Sequence, residues 1–164
     1  MFVTPTVQRQ LRRSLFAYAG ALLLIFFSSA FPSPSTEARP REVVRISVDG
    51  NYLDVETART PEDRERGLKY RAKLCATCGM LFVYPQADRR GFYTKHVFME
   101  LDVGYFGEDG RLLEWRTMAA DDARNTFPAG EAFQYALAVP AGWFARHQIR
   151  KYAVLRLPHD LRAL

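Results

Sequence analysis

A chain of 164 residues holds one domain and a short extra segment, and 48% apolar content with 13% aromatic residues supplies a packed core, which excludes a disordered chain. The net charge of +5 would ordinarily raise nucleic acid or an anionic membrane. However, Arg9, Arg12 and Arg13 fall in the first thirty residues, where there is no acid, and leave 20 of the 23 basic residues against 18 acidic ones. No dense Lys/Arg run follows, so the clustered cations that phosphate binding needs are missing and no nucleic-acid partner is expected.

The N-terminus places Arg9, Arg12 and Arg13 before an apolar run from Ser14 to Phe31, the layout of a secretory signal peptide. Ser28-Ser29-Ala30 offers small residues for cleavage, as does Thr36-Glu37-Ala38. The alternative is an uncleaved anchor, since the run is at the lower edge of what spans a bilayer. In both cases the arginines stay in the cytoplasm and the domain is exported, periplasmic or extracellular, with the membrane touched only through this segment. The expected organisation is a signal peptide or anchor over residues 1–30, a Pro/Ser-rich linker over 31–41 and one globular domain over 42–164.

Within the domain, Val43 to Val48 has strand propensity, Asp49-Gly50-Asn51 is a hairpin turn, and Tyr52 to Val55 continues as a second strand. Thr60-Pro61-Glu62-Asp63 starts a short surface helix ending near Gly67 or Leu68: Thr60 can cap, Pro61 suits the first position, and the two acids complement the dipole. Met80 to Tyr84 is nearly all apolar and predicts a strand buried on both faces, ended by Pro85. Val103 to Phe106 and Leu112 to Trp115 form a hairpin through Glu108-Asp109-Gly110. Thr117 to Phe133 is a long polar loop, Gln134 to Val139 a strand, Trp143 to Arg146 a helical turn, and Tyr152 to Leu157 the closing strand. Hairpins rather than βαβ units predict an α+β domain: a mostly antiparallel, β-rich compact sheet or partly open barrel with two short helices. Trp115, Trp143, Phe144 and Tyr152 are expected in the core.

Several separated blocks then carry a resemblance. Thr60 to Leu68, Gly79 to Val83, Phe92 with Lys95, Leu101-Asp102, Asp109-Gly110-Arg111, and Tyr135 to Leu137 followed by Ala141-Gly142 and Ala145 to Ile149 resemble the Domain of Unknown Function 192 family from about Val43 to Leu157. The resemblance implies a small, compact, β-rich domain, often exported, with no established activity. Family members commonly have Trp-Met-Lys-Asn-Thr where this chain has Tyr93-Thr94-Lys95-His96-Val97, a proline at Glu100 and a glutamate at Ala138. Lys95 and Asp102 are kept.

The stretch Cys75 to Phe106 gathers the candidate chemistry. Cys75 and Cys78 are spaced for a disulfide in an oxidising compartment, where so small a loop contributes at most about 2 kcal/mol. Redox exchange would need a helix N-terminus and neighbouring cations, and Lys73 alone is close in sequence. A metal site would need two further ligands from His96, His147 and His159, which are scattered, so no metal and no cofactor is expected. Lys95, His96, Glu100 and Asp102 combine a cation, a neutral-pH titrator and two carboxylates, and are the candidate ligand-binding set if a bulge or turn near His96 brings Lys95 across to the others. Otherwise they are solvated surface pairs. No nucleophile elbow, phosphate loop or HExxH pattern occurs, so no catalytic residue is assigned. The expected function is therefore a binding or accessory module of the cell envelope, taking a small ligand or an envelope protein in a pocket near Lys95 and Asp102 walled by the Thr117–Phe133 loop. Thiol–disulfide or metal-dependent activity at Cys75 and Cys78 is the alternative.

Overall fold

A computed structural model of the protein describes residues 41–124, 130–158 and 161. The apolar N-terminal run and the linker up to Pro40, residues 125–129 of the long polar loop and His159 lie outside the described residues, together with the expectations placed on them.

The described elements follow the order β1 (Val43–Val48), β2 (Asn51–Ala58), α1 (Pro61–Arg66), β3 (Cys78–Asp88), β4 (Leu101–Phe106), β5 (Leu112–Met118), β6 (Phe133–Pro140), α2 (Trp143–Arg146) and β7 (Leu155–Arg156). They build one sheet in the order β5-β4-β6-β3-β2-β1-β7. All pairings are antiparallel except β2 with β3. The two ends of the sheet approach each other where Arg111 bridges Val154, and Leu155 N donates to Gly110 O at 2.8 Å. The result is a β-rich half-barrel with two short helices.

Local chemistry explains most of these elements. Asp49 and Gly50 both take left-handed φ values, 46° and 82°, as a two-residue hairpin turn of the favoured hand requires. The Asp49 carboxylate also accepts from Val154 N at 2.8 Å and so ties this turn to the seam of the barrel. The Thr60 hydroxyl caps α1 by accepting from Asp63 N at 3.1 Å, with Pro61 at the first position and acids in the first turn.

Four expectations are corrected. β3 does not end at Pro85 but continues to Asp88; its register with β6 shifts between Val83 and Asp88, so proline's missing N–H falls in an irregular stretch. The connection through α1 returns the chain to the same end of the sheet, so β2 and β3 are parallel and one crossover interrupts the hairpins. The closing strand is two residues long rather than six, because Tyr152 takes a φ of 70° and donates its N–H to Leu112 O instead of joining β1. Tyr152 is accordingly exposed, whereas Trp143 and Phe144 are buried and Trp115 stacks on Phe144 with ring centroids 5.5 Å apart.

Alternate residues of β3, β4 and β6 enter two separate apolar clusters. The inner one, to which strands from across the sheet contribute, contains Leu81, Val83, Phe106 and Leu137 and is plugged by Trp143 and Phe144 of α2. The outer one contains Met80, Phe82, Tyr105 and Phe133 and is covered by Leu68, Phe92 and Val97. Strands buried on both faces read as continuous apolar runs rather than as alternation.

α2 seats on β4 at Gly104, where a Cβ would overlap the Phe144 ring. Gly104→Ala is expected to lower stability by about 1–3 kcal/mol, the usual range for overpacking, read as a fall in the urea midpoint at constant slope. An unchanged midpoint would mean that Phe144 is not held against β4.

Candidate functional site

The outer cover is incomplete, and the gap is the candidate site. Gly67, with a φ of 46°, turns the chain out of α1 so that Leu68 is buried beneath the helix. Opposite it, Thr94 to Val97 forms a turn rather than a strand, with Val97 N donating to Thr94 O at 2.9 Å and His96 at a φ of 64°. Thr94 is buried and clamped: its hydroxyl donates to Ala119 O at 2.6 Å and accepts from Asp122 N at 3.2 Å. Between α1 and this turn lies a concavity of about 210 Å³. Its floor is apolar, with Leu68, Phe82, Phe92, Val97 and Ala138, and its rim, among the described residues, carries Arg64, Arg66, Lys69 and Lys95 against the carboxylate of Glu65.

Two of the rim cations are committed. Arg64 donates to Val83 O at 2.9 Å, and its guanidinium lies 5.2 Å from the centre of the Tyr84 ring. Lys69 pairs with Glu65, which also accepts from the Tyr93 hydroxyl at 3.3 Å. Lys69 holds the Glu65 carboxyl below the usual glutamate range, and Glu65 in turn raises the Lys69 ammonium. Glu65 is exposed to solvent, which screens the pair, so it contributes little to stability. Arg66 and Lys95 have no side-chain partner among the described residues.

The wall containing Leu68 is anchored from behind. Glu56 on β2 receives Arg71 and, at 3.3 Å, Arg41, and Arg41 also lies 3.6 Å from Asp63 on α1. Arg71, foremost, lowers the Glu56 pKa. Ion pairs with such half-buried partners fix the crossover segment against β2.

The four residues expected to converge are distributed differently. Lys95 is on the rim of the concavity. His96 sits just outside it: the backbone N donates to the Asp121 carboxylate at 2.8 Å, the carbonyl accepts from Tyr70 N at 2.6 Å, and the ring stacks on Tyr70 at 5.5 Å. Glu100 is exposed and lines no part of the concavity. Asp102 is fully buried on the inner face, because residues 101, 103 and 105 of β4 face the outer cluster and the period of two sends Asp102 the other way. There it accepts from the Thr117 hydroxyl at 2.8 Å and from Phe144 N at 3.4 Å, capping α2 from a neighbouring strand. The turn near His96 that convergence required is present, but it does not bring Lys95 across to Glu100 and Asp102, and the described lining places α1, not the Thr117–Phe133 loop, as the wall.

Cys75 and Cys78 form a disulfide with Cα atoms 5.0 Å apart, closing the turn that opens β3. Cys75 is exposed, and neither cysteine lines the concavity. Among the described residues no three His, Cys, Asp or Glu side chains stand together as a metal site. Sequence reading missed Arg66, Lys69, Leu68 and Phe92. The signal available was the Arg64, Arg66, Lys69 series around Gly67-Leu68, a basic patch at the one point where a polar helix turns inward.

A family model described as uncharacterized ACR, DUF192, matches residues 44–157. The chain belongs to the DUF192 family. Its architecture is shared with a solved protein of unknown function from Novosphingobium aromaticivorans, 23% identical with a TM-score of 0.69, covering 74% of this chain and 89% of that one. A putative transcription regulator from Sinorhizobium meliloti is similar at 24% identity and a TM-score of 0.66, covering 71% and 94% respectively. At these identities the likeness shows the fold alone. None of the curated proteins matches the chain. The DUF192 match takes in both walls of the concavity, α1 and the Thr94–Val97 turn.

Asp102 and Lys95 should therefore separate in their effects. Asp102→Ala strips the buried Phe144 N–H of its acceptor, at about 1–3 kcal/mol, while the exposed Thr117 hydroxyl can turn to water, and is expected to lower the urea midpoint, with Asp102→Asn milder. Lys95→Ala, at an exposed site with no side-chain partner among the described residues, should leave the midpoint unchanged. Equal losses from both would contradict this division.

Proposed function

We propose that this DUF192 protein is an exported binding module of the cell envelope that holds a small ligand in the concavity between α1 and the Lys95 turn. The observation that carries the reading is a concave site with an apolar floor and charged groups at its edge, the usual construction of a ligand pocket. The Thr94 hydroxyl in its lining is spent on backbone contacts, which favours binding over turnover. Export rests on the N-terminal sequence, and a Cys75–Cys78 disulfide suits an oxidising compartment. In this reading Lys95 meets ligand, His96 stiffens the turn beside it, and Asp102 serves the fold. Glu100 remains a surface carboxylate next to the site.

The Sinorhizobium protein's description would bring a nucleic-acid partner. The cations here encircle an apolar hollow instead of tracking a backbone, so that partner is not carried over. A second reading, thiol–disulfide exchange, is favoured by the exposure of Cys75. Against it, the disulfide opens a strand and has no helix N-terminus to lower a thiol pKa.

Native mass spectrometry of the full chain, purified without denaturation, tests both. The expected result is a ligand adduct that survives reduction and is lost on Ala138→Leu, which fills the floor, with the protein recovered from the envelope fraction. An adduct tied to the cysteines and indifferent to Ala138→Leu would overturn the first reading and support the second.

A further inference from the structure

We infer that the ligand is an amphipathic organic acid, with an apolar, ring-bearing body on the floor and an oxyanion at Lys95 and Arg66. The inference rests on the concavity being a ligand site and adds the chemistry that fills it. The floor is suited to a rigid apolar body. Phe92 meets Phe82 edge-on at 5.1 Å and Tyr105 at 5.7 Å, so the rings are fixed before any ligand arrives. A ring placed there gains from area and from quadrupole-directed contacts, and loses little to reorganisation.

The rim supplies the second half. Among the described residues four cations face one carboxylate around the same opening, and that carboxylate is already engaged by Lys69 and Tyr93. Arg64 is held by carbonyls and by Tyr84. What is left is Arg66 from α1 and Lys95 from the opposing turn, on two sides of the opening and without partners among the described residues. A seated apolar body would exclude water beside them, and their attraction for an anion strengthens as the surroundings become less polar. A cationic ligand would meet repulsion at the same edge. A neutral one would use the floor alone.

Two fluorescent probes of nearly one shape separate these cases in the full chain: anilinonaphthalene sulfonate, an aromatic anion, and phenylnaphthylamine, its uncharged parent. The expected result is saturable one-to-one binding of the sulfonate, tighter than that of the amine and weakened by salt. Lys95→Gln should weaken the sulfonate roughly three- to tenfold, and Lys95→Gln with Arg66→Gln further, with the amine unaffected by either. If both probes bind alike and the glutamine variants change neither, the acid inference is overturned while the ligand site stands. If neither probe saturates, or if Ala138→Leu leaves both untouched, the concavity is not the site and both readings fall.

Discussion

Three strands in the middle of this sheet, β3, β4 and β6, are apolar on both faces, and each face must be removed from water by something other than the sheet itself. On the inner face the answer is the closing of the half-barrel and the insertion of Trp143 and Phe144 from a helix of only four residues. So short a helix has no stability of its own, and it is held by the Asp102 carboxylate on one amide and by the glycine at position 104 beneath its ring. On the outer face the cover is made of pieces: Leu68 after α1, Phe92 before the Thr94–Val97 turn, and Val97 at its end. Pieces leave a gap, and the concavity is that gap. The fold and the candidate site are thus consequences of one constraint.

The same constraint divides the polar residues. Asp102 and Lys95 are seven positions apart and looked like partners, but they belong to opposite sides of the sheet. A buried carboxylate with two donors is part of the scaffold. A lysine exposed over an apolar hollow, with no side-chain partner among the described residues, is free to meet something else. The disulfide belongs to neither group, since it closes the turn before β3 and lines no part of the opening.

The sequence made several of these features legible because they are local. Asp49-Gly50 dictates its turn through backbone conformation, Thr60-Pro61 starts α1 through capping, and the run from Met80 to Val83 declares two-sided burial. The features that escaped depend on partners distant in the chain. The parallel pairing of β2 and β3 follows from how α1 packs, the continuation of β3 past Pro85 follows from the irregular register with β6, and the shortness of β7 follows from Tyr152 bonding to Leu112. At the site, Lys95 could be singled out by type, whereas Arg66 could not, because nothing local says that α1 would stand opposite the Lys95 turn.

An amide-resolved NMR titration of the protein with the aromatic sulfonate locates directly where a ligand seats. Shift changes should centre on Arg64 to Lys69 and on Gly91 to Val97, with Thr117, Phe144 and Cys75 to Cys78 silent. Changes centred on the disulfide turn, or on α2 and its Asp102 cap, would contradict a ligand seated between α1 and the Lys95 turn.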